Sequence, residues 1–201
     1  SMRAGLPAQV PAQTVNRFCA SGLQSIATAA ERIAAGAADL ILAGGVESMS
    51  LVPMGGNKYS ANPSLVSSWP ETYAGMGITA ELVAKRYAVT RADQDAFAAE
   101  SHRRAARAQA EGWFAAELCP VDVETTAVVA GKLSRAKERL EADEGVRGDT
   151  TAEGLGKLKP AFQIDGTVTA GNASQMTDGA AAVVVVSERY LKESGAKPLA
   201  R

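Results

Sequence analysis

The sequence holds two cysteines and one histidine in 201 residues. Cys19 and Cys119 form neither a disulfide framework nor a metal-ligand spacing, so no metal is expected and a reducing, cytoplasmic location suits the chain. Charge of either sign is also lacking in excess. The 21 basic and 22 acidic residues nearly cancel, which gives no surface for nucleic acid and no acidic tail. An anionic substrate must therefore be met by locally placed cations. No run approaches the about 20 apolar residues of a membrane helix, and residues 180–186 are too short to serve, so no membrane insertion is expected. The lone histidine, His102, shares a predicted exposed helix with Arg103, Arg104 and Arg107. Those arginines read as a solvated face, and His102 is poorly placed to act as a base for Cys19.

What is present is a core-forming composition, 46% hydrophobic, in an α/β pattern. Residues 11–18 read as a buried strand and residues 20–35 as a helix stopped at Gly36. Residues 39–43 read as a second, central strand. Together these predict a βαβ unit with a right-handed crossover. Gly44-Gly45 read as a tight turn, since no further glycine follows at dinucleotide-loop spacing. Glu47 reads as a general base or, more commonly, as a residue tying down that turn.

The texture changes over residues 51–165. Pro53, Gly55, Gly56, Asn57, Asn62, Pro63 and Pro70 mark an irregular stretch. Helices are predicted over 78–87 and 92–110, the second capped near Thr90 and ended at Gly112. Cys119, next to Pro120 in an extended segment, reads as structural, and residues 132–146 as helical or mobile. From residue 166 the pattern returns to core: a strand-like 168–170, a Gly171-Asn172-Ala173-Ser174 loop, a strand over 180–186 and a short helix over 187–194.

Cys19 stands at the junction between 11–18 and the following helix, where Leu23, Ile26, Ala30 and Ile33 form one apolar stripe. The opening turn of a helix offers unpaired N–H groups and the positive end of the dipole, a setting that favours a nucleophilic thiolate. Ala20, Ser21 and Gly22 leave room for a carbonyl to approach. A buried core cysteine is an equally ordinary reading of the helix signal alone.

Val15-Asn16-Arg17-Phe18-Cys19-Ala20-Ser21-Gly22-Leu23-Gln24-Ser25 resembles the acyl-enzyme cysteine signature of the thiolases. Three further motifs follow in the family's order. Gly44-Gly45-Val46-Glu47-Ser48-Met49-Ser50 is similar to its Gly-Gly-x-Glu-x-Met-Ser segment, and Met76-Gly77-Ile78-Thr79-Ala80-Glu81 to its Met-Gly-x-Thr-Ala-Glu segment. Gly171-Asn172-Ala173-Ser174 is similar to its Gly-Asn-Ala-Ser loop. The resemblance implies a thiolase-like α/β fold: a partial βαβ core over 1–50, a mostly helical loop domain over 51–165 that covers coenzyme A, and a return to the core over 166–201.

The resemblance further implies thiolytic cleavage of a 3-oxoacyl-CoA, or the reverse condensation, through an acyl-cysteine at Cys19. Coenzyme A is then a substrate, and no cofactor is permanently bound. Ser174 is implied to contact the pantetheine arm, Met76 to line the acyl site and Arg147 to lie beside the nucleotide end, where a guanidinium suits phosphate. The His, Asn and second Cys of the family's other half have no counterpart, so a fragment crippled in turnover is expected. A non-catalytic remnant that binds coenzyme A or a partner chain is the alternative, with a ketoacyl-synthase-like condensing enzyme as a third. Self-association as a homodimer or homotetramer is expected.

Overall fold

The computed structural model describes residues Ser1–Arg201. Along the chain lie α1 (Ser21–Ala34), β1 (Leu40–Glu47), α2 (Pro63–Ser68), α3 (Met76–Tyr87) and α4 (Arg91–Ala110). They are followed by β2 (Val121–Val129), β3 (Lys132–Leu140), α5 (Ala152–Gly156), β4 (Gly179–Val186) and α6 (Glu188–Ser194). These elements form two compact units. One comprises Ser1–Asn57 and Met176–Arg201, the other Lys58–Gln175.

In the first unit, β1 and β4 make a two-stranded antiparallel sheet, in register from Leu40 opposite Val186 to Glu47 opposite Gly179. α1 packs against it, with Ala29 and Ala43 as the buried apolar centre. Small residues set how closely helix and sheet approach. A Cβ on Gly45 would stand 3.2 Å from the Gly22 Cα, and one on Gly44 would meet the Ala181 carbonyl oxygen at 2.7 Å. Ser25 Oγ donates to the Gly44 carbonyl at 2.9 Å. The two glycines therefore lie inside β1 and serve close backbone approach, rather than forming the tight turn their sequence suggests.

An aspartate closes each end of this sheet. Asp39 accepts hydrogen bonds from the Ser187 hydroxyl (2.7 Å) and the Arg189 guanidinium, which hold its carboxyl below the ordinary value. Asp178 accepts from the hydroxyl and N–H of Ser50 and from the Ser48 hydroxyl, with the same effect.

Two expectations for this unit are corrected. Residues 11–18 run without a ladder, apart from an isolated bridge between Arg17 and Cys19, and Val15 and Phe18 are exposed. The expected βαβ core of 1–50 is thus present only as its helix and second strand. The parallel crossover is absent, because β1 pairs with β4 alone and antiparallel. A strand exists by pairing its N–H and C=O groups with a neighbour, and no strand lies beside 11–18 in this unit. Nor is the sheet covered on both sides. Leu42, Val46 and Val184 share the face away from Ala43 and are 57%, 80% and 59% exposed.

The second unit is built on α3 and α4. Thr90 and Asp93 close a capping box at the start of α4, the Asp93 N–H donating to Thr90 Oγ1 at 3.1 Å. Where residues 132–146 read as helical or mobile, β3 pairs with β2 from Val121 opposite Leu140 to Val129 opposite Lys132. β-Branched residues dominate β2, and Ala130 and Gly131 both take positive φ (52° and 77°), which is the turn that suits a two-residue hairpin. Lys132–Leu140 therefore follows its partner strand rather than its charge density. Residues 168–170 make a single bridge, Thr169 to Pro160, instead of a strand.

A polar network fixes the loop after α5. Glu81 of α3, 6% exposed, accepts the N–H groups of Thr167 (2.9 Å) and Val168 (2.8 Å) and the Thr167 hydroxyl (3.2 Å). Burial alone would raise its pKa. The hydrogen bonds outweigh that and hold the carboxyl below its ordinary 4.5. Asp95 of α4 pairs with Arg91 Nε (2.8 Å) and accepts from Asn172 Nδ2 (2.9 Å), while Arg91 Nη2 donates to the Leu155 carbonyl at 2.7 Å. Asn172 Oδ1 in turn accepts the Thr169 N–H at 2.7 Å. No buried side-chain polar atom is left without a partner.

Two predictions concern these units. Both tryptophans, Trp69 and Trp113, lie in the second unit, so their fluorescence reports its unfolding alone. Gly44→Ala places a methyl against a backbone oxygen and destabilises the first unit by about 1–3 kcal/mol. Proteolysis within β1 and β4 should rise while the tryptophan transition stays put. Glu81→Gln removes a buried, charge-assisted acceptor and destabilises the second unit by about 2 kcal/mol in urea. Because the folded carboxyl titrates below 4.5, its contribution is full above that pH and fades as pH falls through the lowered folded value. The Gln variant should lose that share of the acid dependence.

Candidate functional site

The turn before α1 brings Cys19 to the surface. Phe18 takes the left-handed conformation (φ 49°), a cost of roughly 1–2 kcal/mol for a residue with a side chain. The local hydrogen bonds hold it there. Asn16 Oδ1 accepts the Phe18 N–H at 2.9 Å, and Ser21 Oγ accepts the Arg17 N–H at 2.8 Å while donating to the Phe18 carbonyl at 2.7 Å. Arg17 Nη1 reaches Gln24 Oε1 at 2.8 Å. α1 then opens with no side-chain cap, leaving its first N–H groups free of side-chain acceptors beside an exposed, unoxidised thiol. Cys19 is therefore not the buried core cysteine that the helix signal equally allowed.

Asn16, Ser21 and Gln24 are the residues that sequence reasoning passed over here. Their signal was present, since Asn two before a left-handed residue and Ser three after it are ordinary turn braces. Glu47, read as a base or a brace, accepts the Ser48 N–H at 3.2 Å in the role of a brace.

The other three candidates belong to the second unit. Met76 opens α3 and is 60% exposed; its neighbour Gly77 lies under the Phe162 ring, where no Cβ would fit. Ser174 is exposed at the end of the loop that Glu81 and Asn172 hold, with Oγ only weakly engaged by the Gln175 carbonyl at 3.4 Å. Arg147 is exposed. The segments carrying Arg147 and Ser174 meet at one point, where the Gln175 side chain lies against Gly145: a Cβ there would stand 2.5 Å from Gln175 Nε2.

His102 is half-buried rather than exposed. Its Nδ1 accepts the Arg147 N–H at 3.2 Å. Cys119 is an exposed free thiol. No group of three His, Cys, Asp or Glu side chains comes together as a metal site.

Comparison with known proteins bears on these arrangements. Residues 1–189 match the family model described as the thiolase N-terminal domain. The chain is 53% identical over 199 residues to the 3-ketoacyl-CoA thiolase of Bacillus subtilis strain 168, covering 98% of this chain and 51% of that protein. It is 45% identical over 197 residues to the human peroxisomal 3-ketoacyl-CoA thiolase, covering 94% and 44%. Among solved structures, human mitochondrial 3-ketoacyl-CoA thiolase in complex with CoA superposes with a TM-score of 0.77 at 36% identity, covering 98% of this chain and 50% of that one. The chain spans about half the length of the relatives it matches. By family model, identity and fold, this chain belongs to the thiolase family and corresponds to its N-terminal domain.

Proposed function

We propose that this chain carries the acyl-accepting half of a thiolase reaction, with Cys19 as the nucleophile. Cys19 loses its proton and the thiolate attacks the ketone carbon of a 3-oxoacyl-CoA; the bond to the α-carbon breaks, its electron pair stays on the α-carbon, which takes up one proton to leave as acetyl-CoA, and an acyl-cysteine remains. The thiol of a second coenzyme A then takes the acyl group, and the reverse direction condenses two acyl-CoA molecules. Negative charge builds on the attacked oxygen, for which the Cys19 N–H is a natural donor. The observation that carries this reading is the exposed Cys19 on a turn held at positive φ by Asn16 and Ser21, beside an uncapped helix.

The second unit is assigned to coenzyme A. Ser174 serves the pantetheine arm, Arg147 the nucleotide phosphates and Met76 the acyl end. The contact of Gln175 with Gly145, which brings the Arg147 and Ser174 segments together, supports this, as does the CoA complex of the human neighbour. Coenzyme A is a substrate in this scheme, and nothing is held permanently. A second reading, binding of coenzyme A without catalysis, is favoured by one contact: the sole histidine is engaged by a backbone N–H. The family assignment leaves the ketoacyl-synthase alternative without support.

Self-association as a homodimer or homotetramer belongs to the same proposal, supported by the bare apolar face of Leu42, Val46 and Val184. No helix is long and apolar enough to cross a membrane. Two free cysteines suit the reducing cytoplasm that we propose as the location.

Intact mass after incubation with acetyl-CoA, followed by peptide mapping, tests the nucleophile. The expected product is a single acetyl group on Cys19, none on Cys119, and no adduct with Cys19→Ala. Equal labelling of both cysteines, or none on Cys19, would overturn the catalytic reading and leave the binding one.

A further inference from the structure

One stripe of α4 forms the bed on which the Arg147 segment lies. His102, Ala106 and Gln109 recur at the i, i+4, i+7 spacing of one helix face. Each meets the same stretch of chain. His102 Nδ1 accepts the Arg147 N–H at 3.2 Å, and Gln109 Nε2 donates to the Asp143 carbonyl at 3.1 Å. Between them, a Cβ on Gly148 would stand 3.3 Å from the Ala106 Cβ. A backbone N–H can only donate, so Nδ1 is an acceptor and the ring proton sits on Nε2. The Thr150 N–H then donates to the Arg147 carbonyl at 3.2 Å, fixing the residue from its other side.

The guanidinium is left over. At this end of α4, Arg103 and Arg104 are both taken by Glu100, at 2.6 and 2.7 Å, and Arg107 faces Glu111 at 3.9 Å. The two arginines hold the Glu100 carboxyl down to about 2, so it stays charged. Arg147 has no acidic partner and no side-chain hydrogen bond. A guanidinium whose main chain is pinned and whose head is free is arranged to meet an anion from outside the protein.

We propose that His102 is a positioning residue for coenzyme A: its imidazole anchors the backbone of Arg147 so that the unpaired guanidinium is presented to the nucleotide phosphates. This rests on the assignment of Arg147 to the nucleotide end, and the two are separable by experiment. The test is titration of the 15N-labelled 201-residue chain with coenzyme A, with exchange of the Arg147 amide read in parallel and tryptophan fluorescence reporting the fold.

His102→Ala should weaken coenzyme A binding about fivefold, the factor expected for one hydrogen bond of ordinary net strength, and should speed exchange of the Arg147 amide. His102→Asn, whose Oδ1 takes the place of Nδ1 as acceptor, should restore both. Arg147→Ala should weaken binding at least as much, and adding His102→Ala to it should cost nothing further. A merely structural histidine would instead weaken binding equally in both backgrounds, and the Asn variant would not rescue it; either result overturns the proposal. If Arg147→Ala weakens binding while His102→Ala leaves it unchanged, the positioning role falls and the Arg147 assignment stands. If Arg147→Ala is silent, or the unaltered chain binds no coenzyme A, the Arg147 assignment falls and the positioning role with it.

Discussion

The antiparallel pairing of β1 with β4 is the constraint on which the architecture rests. Leu40–Glu47 and Gly179–Val186 are separated by the whole of the second unit, so their union closes a very long loop. The entropic cost of closure grows only slowly with loop length, but it has to be met by the contacts of one strand pair. That explains why each end of the ladder carries a charged clamp. Asp39 binds Ser187 and Arg189 at one end, and Asp178 binds Ser48 and Ser50 at the other. It also explains the glycines. With only one helix face available for burial, α1 must come close enough for its backbone at Gly22 to approach Gly45, and side chains there would hold the layers apart.

The second unit solves a different problem with different chemistry. Its apolar core is small, made of residues such as Ala84, Ala108, Leu155 and Val168. Uniqueness comes from buried polar groups with every partner in place. Glu81 takes three donors from residues 167–168, while Asn172 donates to Asp95 and accepts from Thr169. Such networks are costly if any member is unpaired, so they specify one loop conformation more sharply than apolar packing would. The loop they specify is the one that ends at Ser174. Glu81 and Asn172 thus set the course of the chain that leads into Ser174 without contacting that residue.

Local signals made much of this legible. The stripe of Leu23, Ile26 and Ile33, the Thr90 cap and the Gly112 and Gly195 stops mark helices that the structure contains at nearly those bounds. Cys19, Ser174 and Met76 are singled out by motifs, and Arg147 by its spacing to Ser174. What could not be read was whatever depends on distant neighbours. Residues 11–18 have strand chemistry but no adjacent strand. Lys132–Leu140 looks polar and helical until Val121–Val129 is laid against it. Gly44-Gly45 look like a turn until Gly22 and Ala181 arrive from 23 and 137 positions away. His102 was passed over for the same reason: in the sequence it stands among arginines, and its partner is a main-chain N–H 45 residues on.

The geometry divides the chemistry between two kinds of support. Cys19 is presented by its immediate neighbours. The strain at Phe18 is opposed by hydrogen bonds from Asn16 and Ser21, within five residues of sequence. The Cys19 turn therefore depends on little outside α1 and its approach. Arg147 is presented by remote contacts, through a helix stripe that has to be folded before the segment can lie on it. Loss of tertiary packing should accordingly release the Arg147 segment before it releases the cysteine turn. Presentation of the Cys19 thiol is thus the more local property of this chain, and presentation of the Arg147 guanidinium the one that requires the fold.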